Sequence, residues 1–168
     1  CEYLTKTQNQ ERKNSLKEKI YKALSCLKSW EYNQRGLVYS PLGGNWADEY
    51  VTSGYTLYDN VLRYWALKNA AEIYNDETLK ILAENTKKLI QENFYKIENG
   101  SSSAKYHETA YSKVTAKPYF YASLNANGYD GRFDLAGNAL ALLLDFDVDI
   151  NAFSEFLNGV KEEFRHWM

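Results

Sequence analysis

The chain has 168 residues, about the size of one domain, with 20 basic and 22 acidic residues interspersed for a formal charge of −2; with no run of either sign, nothing recommends a nucleic acid as partner. No apolar run approaches the roughly 20 residues needed to cross a bilayer; the longest, Ala139 to Leu144, suits a buried helix segment. What stands out is aromatic supply, 15 tyrosines, 7 phenylalanines and 4 tryptophans, enough to build a core and still offer flat, hydroxyl-tipped faces to a polar ring such as a sugar.

The first predicted element is an amphipathic helix from about Gln10 to Trp30, where Leu16, Ile20, Ala23, Leu24 and Leu27 fall on one stripe between lysines. Cys26 within it reads as a small core residue. Cys1 and Cys26 have no CxxC or Cys/His companions, so neither a metal site nor a disulfide framework is expected, and no cofactor is implied. A chain that begins at Cys1 reads as one that has been cut, which leaves its compartment open. Leu37 to Tyr39 is a short extended piece before Pro41 and the glycine pair Gly43 and Gly44.

The second long helix is expected from about Tyr55 to Tyr74, apolar or aromatic on most of its circumference and therefore covered on both sides. Asn75 and Asp76 make a short turn, with Asp76 as N-cap of a third, surface helix from about Glu77 to Tyr95. Residues 104 to 131 read as a long irregular loop, broken by Pro118 and rich in Tyr, Asn and Gly, ordered and exposed to something. Asp134 should cap the apolar helix "LAGNALALLL", and Asn151 or Asp149 the last, whose stripe is Phe153, Phe156, Leu157, Val160 and Phe164. Long aromatic loops thus precede the two nearly all-apolar helices and short polar turns precede the amphipathic ones. That pattern suggests alternating inner and outer antiparallel helices, with the loops gathered at one end.

Chemistry would enter in "GGNWADEY", where Asp48 and Glu49 follow Trp46. Adjacent carboxylates point in different directions, so they do not form a catalytic pair; a second carboxylate would come from Glu108, Asp130 or Asp134, the last better explained as a cap. His107 and His166 are too isolated for a metal or a triad, and Ser53 and Ser102 have no paired base. "GLVYSPLGGN" lacks the lysine of a phosphate loop. No internal period is apparent. From the residues alone, an all-helical domain with aromatic loops follows, and enzyme and binding module both stay open.

Two segments go further. "NWADEYVTSGYTLYDNVLRYWALKNAAEIY" resembles the stretch of (α/α)6-toroid glycosidases, the neutral and alkaline invertases and related inverting α-glucosidases of amylo-α-1,6-glucosidase type, in which a D-W-x-D-E motif opens an inner helix. "GYDGRFDLAGNALALLL" is similar to their later R-F-D-x-x-G-N element. The resemblance covers roughly Val38 to Phe146 and implies an all-α, partial (α/α)6 toroid acting on α-linked glucosides with inversion. It makes Asp48 the general acid, sets Trp46 and Glu49 in the same loop, starts the helix beneath with Tyr55, Tyr58 and Asn60, and anchors the second loop with Arg132 and Asp134. Asn45 replaces the first acidic position of the motif, so the native substrate does not transfer. In those enzymes the base is a glutamate further downstream, and the chain reaches Met168 before such a segment. The expectation is therefore a single unit of a larger toroid, binding a carbohydrate and presenting apolar faces to a missing half or a second copy. A non-catalytic carbohydrate-binding or structural helical module is the alternative.

Overall fold

The computed structural model describes residues 2–7, 9–46, 52–96 and 105–164. Within them the chain is predominantly helical, with one small antiparallel sheet. A short α1 (Glu2–Thr7) precedes α2 (Gln10–Lys28), whose N-cap Asn9 accepts a hydrogen bond from Arg12 N at 2.8 Å. Although α2 carries the predicted stripe, none of its residues is buried. Leu24 rests against the core, while Tyr21 Oη donates to Asp76 Oδ2 at 2.6 Å and Tyr74 Oη donates to the Lys13 carbonyl at 3.1 Å. Cys26, expected in the core, is exposed because it lies off that line of contact.

The centre of the molecule is α3 (Leu57–Tyr74), which buries Leu57, Val61, Tyr64, Leu67 and Ala70. Asn75 ends it in the left-handed conformation (φ 50°), and Asp76 caps α4 (Glu77–Phe94) by accepting from Leu79 N at 3.0 Å. So short a turn makes α3 and α4 antiparallel neighbours, and α4 contributes Ala83, Ile90 and Phe94 to a core completed by Leu37, Phe120, Ala141 and Phe146.

Residues 105 to 131 are more regular than a loop. They form α5 (Glu108–Lys113), capped by His107 Nδ1, and a hairpin of β2 (Tyr121–Asn125) and β3 (Gly128–Phe133). The hairpin escaped the periodicity because Tyr119 to Leu124 are all buried, so β2 has no polar alternate face to reveal it. Its two-residue turn at Ala126 and Asn127 ends on Gly128 at φ +112°. The start of the second long helix is also a strand: Tyr55–Thr56, β1, pairs with Leu124 and Ser123 of β2 in the sheet order β1-β2-β3. Gly54 makes that junction feasible. Its φ is +103°, and a Cβ there would stand 2.3 Å from the Leu124 carbonyl oxygen.

Both helices that follow the sheet are pinned in the same way. Asn60, four residues beyond the cap position Thr56, accepts from Val38 N at 2.8 Å and donates to the carbonyls of Val38 (3.1 Å) and Thr56 (2.8 Å). Asn138, four residues beyond the cap Asp134, accepts from Phe120 N at 2.8 Å and donates to the carbonyls of Phe120 (3.1 Å) and Asp134 (2.8 Å). A short local repeat is therefore present where the sequence shows no period, because it consists of one cap and one asparagine on otherwise different surroundings.

Asp134 caps α6 (Leu135–Leu143), and Asp149, whose Oδ1 accepts from Asn151 N and Ala152 N at 3.0 Å each, caps α7 (Ile150–Phe164). α6 packs on α3 through Gly137, Asn138 and Ala141, but Leu135 and Leu143 remain 64% and 77% exposed, so its apolar circumference is covered on one side only. Lys87 and Gln91 of α4 hold the α6–α7 connection by hydrogen bonds to the carbonyls of Asp145 (2.7 Å) and Asp147 (2.8 Å).

Candidate functional site

The lead-ins to α3 and α6 meet through the β1–β2 pairing, and beside them lies a cavity of about 470 Å3. Asn45, Trp46 and Thr52 line one part of it; Arg132, Phe133, Asp134, Leu135, Ala136 and Ala139 line the other. Trp46 is 63% exposed and leans on Tyr58, ring centroids 5.6 Å apart, which fixes one edge of the indole and leaves much of its surface open. The volume falls within the range of about 300 to 1,000 Å3 usual for small-molecule sites.

The rim is charged in an ordered way. Arg132 Nε donates to both oxygens of Asp130 (3.0 and 2.8 Å), and Arg132 Nη2 reaches Asp130 Oδ2 at 2.5 Å and Thr52 Oγ1 at 3.3 Å. The guanidinium thereby ties the hairpin to the segment that precedes α3. Burial would raise the Asp130 carboxyl, but the hydrogen bonds from the Arg132 side chain and backbone N–H win and hold it below the usual range. A carboxylate so held is a weak proton acceptor, which counts against Asp130 as a base. Glu108, the other candidate, is exposed in the first turn of α5 and does not line the cavity.

Asp134 behaves differently. Burial pushes its carboxyl upward, the nearby negative Asp59 adds to the rise, and the N–H groups of Gly137 and Ala136 only partly offset both. Its cap bond to Gly137 N, at 3.0 Å, fixes the orientation. Gly137 is required there: a Cβ would stand 2.5 Å from Asp134 Oδ2 and 3.0 Å from Leu57 Cδ2.

Of the residues expected at a sugar, Trp46, Arg132 and Asp134 share the cavity, and Tyr58 supports Trp46. Asp48 and Glu49 lie outside the described residues, between Trp46 and Thr52, which both line it. Asn60 is not at the cavity; it is wholly buried and its amide is committed to backbone, as set out above. Tyr55 does not line the cavity; it stands edge-on to Tyr39 (5.4 Å) and Tyr106 (4.9 Å). Phe133 and Thr52 also line the cavity without standing out in the sequence: Phe133 is one of many aromatics around the 104–131 segment, and Thr52 carries no signal before the sheet brings it to Arg132.

His107 is an α5 cap, and His166, Ser102 and Cys1 lie outside the described residues. Among the described residues no group of three or more His, Cys, Asp or Glu side chains could hold a metal ion, and no helix is long and apolar enough to cross a membrane. A larger concavity of about 890 Å3, between Tyr95, Lys117 and Phe156, holds charges of both signs but none of these site residues, and its Lys96 Nζ already donates to the Val114 carbonyl at 2.6 Å. Comparison of the chain with protein-family profiles, with curated proteins and with solved structures returned no match.

Proposed function

We propose that the chain is a unit of a toroid-type inverting α-glycosidase and that the 470 Å3 cavity receives a sugar ring. The observation that carries this reading is the pairing of a largely exposed tryptophan with an orientated Arg132–Asp130 pair and a capped carboxyl in one enclosure. A pyranose has apolar faces that stack on an indole and hydroxyl edges that need both donors and acceptors, and the lining offers both kinds of surface. On this reading Asp48 protonates the leaving oxygen, with Glu49 in the same loop, while Arg132 and Asp134 orient the ring.

Inversion also needs a base about 6.5 to 9.5 Å from the acid, with water between them. The two described carboxylates near the rim are engaged, Asp130 with Arg132 and Asp134 with the start of α6. That favours a second reading in which these residues bind sugar without turnover, the base being supplied by other chain or not at all. The two readings separate on one experiment. Methyl α-glucoside and maltose are titrated by saturation-transfer NMR and tested for anomeric turnover, with Trp46→Ala and Asp48→Asn alongside. Binding that falls about 2- to 10-fold in Trp46→Ala supports the site, since a stacked aromatic contact contributes about 0.5–1.5 kcal/mol. Turnover lost in Asp48→Asn supports the glycosidase; unchanged binding with no turnover in either protein supports the binding module. If no sugar in the panel binds the unaltered chain, both readings fall.

A further inference from the structure

A second cleft, of about 430 Å3, lies between the end of α2 and the first half of α3. The chain from Pro41 to Trp46 divides it from the first: Pro41 and Gly44 line this cleft, Asn45 and Trp46 the other. Its walls are Trp30 and Tyr39 with Leu27, Leu62 and Ala66, and Asp59 and Arg63 also line it. Trp30 lines the cleft, is 41% exposed, and is stacked with Tyr32 at 6.5 Å and an interplanar angle of 23°.

The polar groups define what fits. Arg63 is buried and paired with Glu31, whose other oxygen accepts from Gly36 N at 3.2 Å, yet Arg63 Nε has no hydrogen-bond partner among the described residues. A buried donor left unmet is uncommon. Asp59 uses Oδ2 for the hydroxyls of Thr56 (2.6 Å) and Ser40, and Oδ1 carries no hydrogen bond among the described residues. Glu31, Arg63 and Asp59 together are net negative, which disfavours an anion. An ammonium ion could meet Asp59 but has no acceptor for Arg63 Nε. A neutral polyol ring meets all three demands: one hydroxyl accepts from Arg63, another donates to Asp59, and the C–H face lies against Trp30.

We infer that this cleft is a second carbohydrate subsite, so that the ligand is an oligosaccharide rather than a single sugar. The inference rests on the carbohydrate reading of the first cavity and adds chain length to it. The test uses the indole N–H resonances of the four tryptophans, assigned by single Trp→Phe substitutions, in titrations with glucose, maltose and maltotriose. Trp30 and Trp46 should both shift with maltotriose. Trp30→Ala should weaken maltotriose about 3- to 10-fold and leave glucose at Trp46 unchanged, and Ala66→Leu, which fills the cleft without touching the ion pair, should do the same. Sugar that shifts Trp46 but not Trp30, or a Trp30→Ala chain within twofold of the parent for maltotriose, overturns the second subsite and leaves the first reading standing. A Trp30 signal that moves with protein concentration instead of sugar assigns the cleft to a second copy and also overturns it. No shift at either indole removes the first reading and this inference together.

Discussion

Replacing Asn138 with alanine removes three hydrogen bonds, but their costs are unequal. The Asp134 carbonyl keeps the helical bond from Asn138 N at 3.0 Å, so it is not orphaned. Phe120 is wholly buried, and its N–H and C=O are met by the Asn138 amide at 2.8 and 3.1 Å. Leaving a buried polar group unmet costs about 1–3 kcal/mol, so Asn138→Ala should destabilise the chain by about 2–6 kcal/mol. A domain of this size is stable by about 5–15 kcal/mol in total, so the loss is large but measurable. Urea unfolding followed by tryptophan fluorescence reads it. With a slope of about 2 kcal/mol per M, the midpoint should fall by about 1–3 M with the slope unchanged. Asn60→Ala, which strands Val38 in the same way, should behave alike. Asn69→Ala, whose amide only donates to the Trp65 carbonyl one turn back at 2.9 Å, should cost less than about 1 kcal/mol. An Asn138→Ala chain within about 0.5 kcal/mol of the parent, or one no worse than Asn69→Ala, would refute the claim that these amides hold the two lead-ins to their helices.

Glu31→Gln leaves the Arg63 guanidinium buried without its counter-charge and should cost about 3–5 kcal/mol in the same unfolding assay, whereas a change below 1 kcal/mol would mean that water reaches the pair. Gly54→Ala places a methyl group against the Leu124 carbonyl at a positive φ; a loss of at least about 2 kcal/mol is expected, with amide exchange accelerated at Leu124, and retained protection there would count against the β1–β2 junction. The Tyr21–Asp76 bond should make the docking of α2 depend on pH at both extremes. Tyr21 is pushed up to about 12, chiefly by that bond and then by burial, so its contribution is complete below the ordinary value of 10.0 and is lost as pH rises toward 12. Asp76 is held below its ordinary 3.8, chiefly by the same bond, so its contribution is present above that value and is lost as pH falls beneath it. Hydrogen exchange of α2 against pH should show both limbs in the parent and neither in Tyr21→Phe.

The long helices and their ends are legible in local side-chain chemistry. The apolar spacing of α2, α3 and α4 and the caps Asp76, Asp134 and Asp149 are local features, settled within a few residues by side-chain periodicity and by acceptors for free N–H groups. Part of the candidate site was legible for the same reason, since Trp46, Arg132 and Asp134 sit in short segments of distinctive composition. The rest depends on contacts between segments far apart in the chain. Whether Tyr55 and Thr56 continue a helix or join a strand depends on Leu124 and Ser123, nearly seventy residues away, and β2 is too buried to show alternation. Asn60 and Asn138 became backbone clamps because Val38 and Phe120 arrived beside them, and Asn60 was lost to the site by that arrival. Arg132 reached Thr52, and Arg63 came to rest beside Glu31 with one donor unmet, through contacts across the fold. Local chemistry can specify a helix, but a buried polar group takes its partner from whatever the fold brings within hydrogen-bonding distance.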